Sequence, residues 1–376
     1  MTIADYLKQR ADHLTQAGRR IKDFQVFDFN YMPEQPLMRE EVKPIIDACL
    51  RYLSTGIANH VFIFGSRGSG KTLTVKHLGR LLAQQHQAEV LYANCRQHNT
   101  SFKILAHLLG VRPRGCSLDE LWHRFTEAHS GRLLLILDEV DLISEKDRNK
   151  DILYLIGRSP RNYMTILLSN HPKFLNTLDE SVRSSLQTEL IHFRNYDAQE
   201  IMRILKDRAL LGLKDMPDET MAKIAALTTR ATNSDVRVAI KTLYYAALEE
   251  SGDIEDFFNR ARRDLITDIL ADLSDRNLMI LKAVANIQEP FVKAVYEEYR
   301  RLSIQEHEEP FSYVYFYANL SYLQSIGLLV LVATKVGRTY TNRIQALFDA
   351  EMLRAIWGMR FGTAGSEVHG LTGTHS

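Results

Sequence analysis

An apolar tetrapeptide, Val61–Phe64 (VFIF), runs directly into Gly65-Ser66-Arg67-Gly68-Ser69-Gly70-Lys71-Thr72, and a helix-forming stretch follows from about Gly70. No other feature restricts the fold of this chain as tightly. The octapeptide satisfies G-x-x-x-x-G-K-[ST]. Its glycines let backbone N–H groups turn inward around an anion. The following helix aims its positive N-terminal end at the same point. In this pattern Lys71 reaches the β- and γ-phosphates of a nucleotide, and the Thr72 hydroxyl is a ligand for Mg²⁺. The loop needs a strand before it and a helix after it, which makes the domain α/β.

The rest of the first half agrees. Val90–Asn94, Leu133–Leu137 (LLLIL), Thr165–Ser169 (TILLS) and Glu189–Phe193 read as further strands. Leu133–Leu137 is a continuous apolar run, the mark of a strand buried on both faces. Strands alternating with helical segments over residues 60–195 predict a parallel sheet flanked by helices. Upstream, residues 1–30 read as a charged helix and then an extended piece, Phe24–Phe29. A turn-like stretch, Tyr31–Pro36, leads through Leu37-Met38-Arg39-Glu40-Glu41 into a helix ending near Ser54. Residues 198–271 read as helical throughout. Helices follow from 275, then two β-rich runs, Leu328–Ala333 and Arg338–Ala346, surround Lys335-Val336-Gly337. That pattern resembles a winged helix with a hairpin as its wing. The tail from Gly362 is rich in Gly, Ser and Thr and is expected to be disordered. The organisation expected is a nucleotide-binding domain over 1–195, an all-α lid over 196–272, a winged-helix domain over 273–361 and a tail over 362–376.

Composition narrows the function classes. The net charge is +1, so any nucleic-acid binding must come from local basic patches. The three cysteines, Cys49, Cys95 and Cys116, form neither a disulfide framework nor a zinc pattern, which fits a reducing compartment. Met1–Arg20 lacks the apolar core of a signal peptide. No run approaches the ~18 apolar residues that a membrane span requires. The expected location is the cytoplasm, without membrane contact.

Further candidates lie at the strand ends, where α/β sheets hold their ligands. The LLLIL strand ends in Asp138-Glu139. Asp138 is placed to hold Mg²⁺, and Glu139 to polarise the attacking water. Asp141 could reach the edge of the site, but it reads more simply as a solvated acid. Asn170 ends the TILLS strand, where its amide can bond both the γ-phosphate and the lytic water. Asp235 suits a helix N-cap, which puts Arg237 in the first turn, within reach of the γ-phosphate. Arg183 is a candidate arginine finger acting in trans on a neighbour's ATP, and Arg194 is a weaker one.

Taken together these motifs give a resemblance. The chain resembles the AAA+ replication initiators of the origin-recognition and cell-division-control type, above all their archaeal-type members, over about residues 20–350. It is carried by Tyr31-Met32-Pro33 with Leu37–Glu41, the phosphate loop, Asn94-Cys95-Arg96, Leu137-Asp138-Glu139-Val140-Asp141, Leu168-Ser169-Asn170, Val182-Arg183-Ser184-Ser185-Leu186, Asp235–Arg237 and Val295–Tyr299. The resemblance implies an ATPase that binds ATP and ADP with Mg²⁺ and turns over slowly, as a switch. It implies ATP-gated binding of double-stranded DNA at replication origins and hence association with the nucleoid. A replicative helicase or other AAA+ subunits would be its protein partners. The wing then offers Lys335, Arg338 and Arg343 to phosphates or the minor groove, and Arg112 and Arg114 fall where the family inserts a DNA-touching element. Two departures stand out. Ser234 replaces the family's usual Gly before the Asp of the Asp235–Arg237 motif. The recognition helix, about Ser312–Ser325, contains no Lys or Arg, although base readout ordinarily uses Arg, Lys, Asn or Gln. The second departure leaves an alternative open, a non-replicative AAA+ regulator of transposition or defence whose winged domain binds protein or DNA.

Overall fold

The strands expected around the phosphate loop pair into one parallel sheet in the computed structural model. They are β1 (Val61–Gly65), β2 (Glu89–Asn94), β3 (Leu133–Asp138), β4 (Met164–Ser169) and β5 (Glu189–Phe193), in the order β2-β3-β4-β1-β5. The structure describes residues 2–8, 11, 20–86, 88–112, 114–144, 147, 149–249, 252–336 and 339–362. The chain divides into two units, Met1–Ala261 and Arg262–Ser376.

Every residue of β3 and β4 is buried, as a strand covered on both faces requires. Alternation then sorts their side chains. Leu133, Leu135 and Leu137 face one core, with Leu105, Leu121, Phe125, Ile152 and Val182. These come from helices α3 (Ser101–Leu108), α4 (Leu118–Ala128), α5 (Asp151–Gly157) and α6 (Glu180–Leu186). Leu134 and Ile136 face the other core, with Ile45, Tyr52, Val75 and Leu78. Those belong to α1 (Val42–Thr55) and α2 (Lys71–His86). The sheet order has one consequence for the site. β4 lies between β1 and β3, so the residues that end β4 sit between the phosphate loop and the acidic pair.

Three helices follow: α7 (Ala198–Gly212), α8 (Asp218–Ala231) and α9 (Val236–Leu248). Asp197 starts α7 with a capping box, accepting from the Glu200 amide while Glu200 accepts from the Asp197 amide. Ile201, Leu205, Ile224, Ile240 and Leu243 form the core of this helical subdomain, joined by Val26 and Phe27 from far upstream. The extended piece expected at Phe24–Phe29 is instead a 3₁₀ turn at Gln25–Phe27. Asp23 Oδ1 accepts from the Gln25 amide at 2.8 Å, a local bond that competes with extended backbone. Val26 is then locked in place. Its carbonyl accepts from the buried Arg208 guanidinium, and a Cβ at Gly212 would come within 2.2 Å of its Cγ2. Residues 3–8 are helical, whereas residues 12–19 of the expected N-terminal helix lie outside the described residues.

The second unit starts within α10 (Ile254–Asp272) and holds α11 (Asp275–Asn286), α12 (Val292–Gln305), α13 (Tyr313–Ser325), the hairpin β6 (Leu329–Val336)–β7 (Thr339–Ala346) and α14 (Ala350–Phe361). The hairpin is antiparallel, pairing Leu329 with Ala346 and Val332 with Arg343. Ile266, Ile269 and Leu270 of α10 pack in the same core as Leu281, Tyr299, Phe316 and Leu353. For that reason the division falls inside α10 and not after residue 272. Residues 363–376 of the expected tail lie outside the described residues. Among the described residues no helix is long and apolar enough to cross a membrane.

Candidate nucleotide-binding site

The phosphate loop joins β1 to α2 and closes around its own lysine. Lys71 Nζ donates to the carbonyls of Gly65 at 2.9 Å and Ser66 at 2.8 Å, and to Asn170 Oδ1 at 3.0 Å. Only 6% of the residue is exposed. Burial pulls its pKa down from the ordinary 10.5 to about 8, while Asp141 and Asp138 oppose the shift. Gly68 and Gly70 adopt φ of +73° and +85°, which L side chains avoid. Space also excludes a side chain at both. A Cβ on Gly68 would come within 2.0 Å of Asp235 Oδ1, and one on Gly70 within 2.1 Å of the Tyr196 hydroxyl.

Asp138 ends β3 and is 3% exposed. Its Oδ1 accepts from Thr72 Oγ1 at 3.2 Å and its Oδ2 from the Tyr92 hydroxyl at 2.9 Å. Burial holds its carboxyl above the usual carboxylate range despite those bonds. Glu139 follows in the left-handed region, at φ 53°. That backbone turns its carboxylate toward β2, where Asn94 Nδ2 and Arg96 Nε each lie 3.2 Å from Oε2. Asn94 Oδ1 in turn accepts from the Arg96 amide at 2.8 Å. The Asn94–Arg96 turn is thus the cradle of Glu139.

Asp141 is not the solvated acid expected. The 3₁₀ turn Val140–Leu142 carries it back over the strand ends. There Oδ1 accepts from Ser169 Oγ at 2.7 Å and from the Asn170 amide at 3.2 Å. Its Oδ2 is shut off from solvent with no hydrogen-bond partner. Asp141 therefore fixes the backbone of Asn170, whose side chain faces Lys71. The sequence signal was the polar Ser169-Asn170 pair on the adjacent strand, which leaves a buried acid a place to bond.

Arg237 lies on the first turn of α9. Its Nε and Nη2 pair with Asp235 Oδ1 at 2.9 Å and Oδ2 at 2.5 Å, and Asp235 also caps α9 through the Arg237 amide. Asp235 is the residue pressed against Gly68, so this motif reaches the loop. Ser234 adopts φ 61°, after Asn233 at 56°. A left-handed turn is required there, which is the reason glycine suits the position and serine fits it poorly.

The remaining candidates stand apart from this hydrogen-bonded group. Arg183 is exposed on α6; Arg112 and Arg114 are exposed after α3. Lys335 on β6 and Arg343 on β7 are also exposed, and Arg338 lies outside the described residues. Arg194 is not a free finger. It makes a two-pronged pair with Glu200, at 2.9 and 2.7 Å, and a third contact with Glu41 at 3.3 Å. On α13, Phe316, Leu320 and Leu323 are core, the Tyr317 hydroxyl accepts from Asn342 Nδ2 at 2.8 Å, and Tyr313, Val314 and Tyr315 are exposed. Sequence reasoning missed the buried Arg39, whose only signal was a charged Arg-Glu-Glu run where a helix begins.

A strand-loop-helix phosphate cradle, an acidic pair one strand removed, an asparagine between them and a helical subdomain reaching back to the loop define an AAA+ ATPase, a nucleotide-binding class. A NACHT domain profile matches residues 59–208, the span from β1 into α7. ORC1-type DNA replication protein 1 of Sulfurisphaera tokodaii is 30% identical, over 68% of this chain and 70% of that one. Its namesake in Archaeoglobus fulgidus is 25% identical over 91% and 92%. The solved structure of the Aeropyrum pernix ORC1 protein in complex with DNA superposes with a TM-score of 0.65 at 21% identity, covering 91% of this chain and 97% of that one. The chain belongs to the ORC1-type DNA replication proteins. Membership of that family makes it a replication-initiation ATPase.

Proposed function

We propose that this chain binds ATP with Mg²⁺ at Gly65–Thr72, hydrolyses it slowly, and uses the bound nucleotide to control its hold on double-stranded DNA at replication origins. One observation carries the reading: Lys71, Thr72, Asp138 and Asn170 converge through hydrogen bonds at the ends of β1, β4 and β3. The residues fit the ligand. Two glycines whose Cβ atoms would collide with neighbours keep the loop backbone bare, and the Lys71 ammonium points at the loop's own carbonyls, a place that phosphate oxygens can take over. Thr72 Oγ1 and Asp138 Oδ1, at 3.2 Å from each other, are the hard oxygen donors that would hold Mg²⁺. The bound ion would neutralise charge on the phosphates.

The roles of the chain's own groups follow from position. The loop amides and Lys71 bind the β- and γ-phosphates. Asn170 orients the attacking water, and Glu139 accepts its proton once the carboxylate leaves Asn94 and Arg96. Arg237 exchanges Asp235 for the γ-phosphate. The exposure of Arg183 supports a role in trans on an adjoining AAA+ subunit. Arg112, Arg114, Lys335, Arg338 and Arg343 contact DNA phosphates, and through DNA the protein is held at the nucleoid. The Aeropyrum relative solved in complex with DNA supports this part of the reading, and recruitment of a replicative helicase is the expected output.

Two measurements test the reading. Lys71→Ala should abolish ADP binding in titration calorimetry, and unaltered affinity would end the assignment of the loop. Lys335→Ala with Arg343→Ala should weaken duplex binding equally across sequences and lower the slope of log K against log salt by about 2. An unchanged slope removes the hairpin from the interface.

A further inference from the structure

Arg39 is a buried cation outside the hydrogen-bonded group described above, at 3% exposure. It stands where four parts of the first unit meet. Its Nη1 donates to the carbonyl of Ser69, in the phosphate loop, at 3.2 Å, and its Nη2 to the carbonyl of Arg194, just past β5, at 2.9 Å. Glu41 pairs with it at 3.1 Å and Glu200, on the first turn of α7, at 3.4 Å. The guanidinium lies 4.5 Å from the centre of the Tyr196 ring, the ring whose hydroxyl fills the space over Gly70. Arg39 is thus bonded to the loop, and stacked on the tyrosine that touches the loop. It is also paired with the helix that opens the helical subdomain.

We propose that Arg39 is a positioning residue that couples occupancy of the phosphate loop to the placement of α7, through the Ser69 carbonyl on one side and Glu200 on the other. The inference rests on the nucleotide assignment of the loop made above. The contacts are graded in a way that suits coupling. The bonds to the two carbonyls are formed, whereas Arg39 Nε has no hydrogen bond and sits 3.4 Å from Glu200 Oε1. The contact to α7 is the loosest of the set, and a small shift of the Ser69 carbonyl tightens or breaks it first. A planar guanidinium can serve a carbonyl, a carboxylate and an aromatic face at once, and an ammonium cannot. An isolated charge at this depth would be costly, so the acids must follow the arginine when it moves. Arg194 also grips Glu200, giving α7 a second tie to the same corner.

The experiment is amide hydrogen exchange on the full chain with and without saturating ADP, for wild type, Arg39→Lys, Glu200→Gln and Lys71→Ala. In wild type, ADP should slow exchange in the loop (66–72) and, by about tenfold, in α7 (198–212), a coupling of ordinary size. Arg39→Lys should keep the ADP response of the loop and lose that of α7. Glu200→Gln retains the capping acceptor and should give the same split, which serves if Arg39→Lys does not fold. Full α7 slowing in both variants, or loop protection without any α7 response in wild type, overturns the coupling alone. Absence of an ADP response in the wild-type loop, or an undiminished one in Lys71→Ala, overturns the loop assignment and this inference with it.

Discussion

Replacing Lys71 by methionine should abolish nucleotide binding and at the same time change how stability depends on pH. The ammonium is held almost wholly out of water, with its pKa lowered to about 8. The unfolded chain titrates this lysine near 10.5. Between those values the folded protein binds fewer protons than the unfolded one, so stability rises with pH across that window. Below pH 8 both states carry the proton, and the full desolvation penalty is present. At pH 10 the wild-type gain relative to pH 7 is about 2 to 3 kcal/mol from this group alone. Methionine has no such gain. The absolute stability at pH 7 is a less clean readout, because the Gly65 and Ser66 carbonyls lose their donor, at about 1 to 3 kcal/mol each. The difference between the two pH profiles cancels that cost along with every other titrating group. Urea denaturation of both proteins at pH 7, 8, 9 and 10 measures it. Parallel profiles would refute the claim that the loop lysine is desolvated by its own backbone.

Four further outcomes follow from the same geometry. Glu139→Gln should lower single-turnover ATP hydrolysis by at least about a hundredfold while ADP affinity stays within a few-fold; equal rates would remove Glu139 from the chemistry. Asp141→Ala should destabilise the first unit by about 3 kcal/mol, since two donors lose a buried charged acceptor, whereas Asp141→Asn should cost far less. Burial raises the carboxyl of Asp141, so the folded state binds its proton more tightly than the unfolded chain does. Its contribution to stability therefore declines as pH rises from the unfolded value through the folded one, and Asp141→Asn should flatten that acid-side decline in thermal denaturation. Ser234→Gly should raise stability by about 0.5 to 1 kcal/mol, because glycine relieves the left-handed backbone but gives back part of the gain as unfolded-state entropy; a lower melting temperature would show that the serine hydroxyl matters more than its backbone.

The phosphate loop, the acidic strand end and Asn170 could be read from the chain because each is a local pattern. A loop of fixed spacing leaves a strand and enters a helix, a continuous apolar run must be buried on both faces, and polar residues at its end must face the ligand side of the sheet. The all-helical stretch after Tyr196 was legible for the same reason, since the helix period is written within single segments. Three things were decided by tertiary packing. The strand order set β4 between β1 and β3, and so brought Asn170 to Lys71 across 99 residues of sequence. The turn after β3 buried Asp141, which a reading of neighbouring residues takes for a surface acid. Above all, Arg39 became a buried junction. Its partners Ser69, Arg194 and Glu200 lie 30 to 161 positions away, and no local spacing can announce a contact made only when the sheet closes and the helices after it fold back onto the loop. Local periodicity determines which segments become strands and helices; long-range closure determines which charges are removed from water together, and the coupling between them.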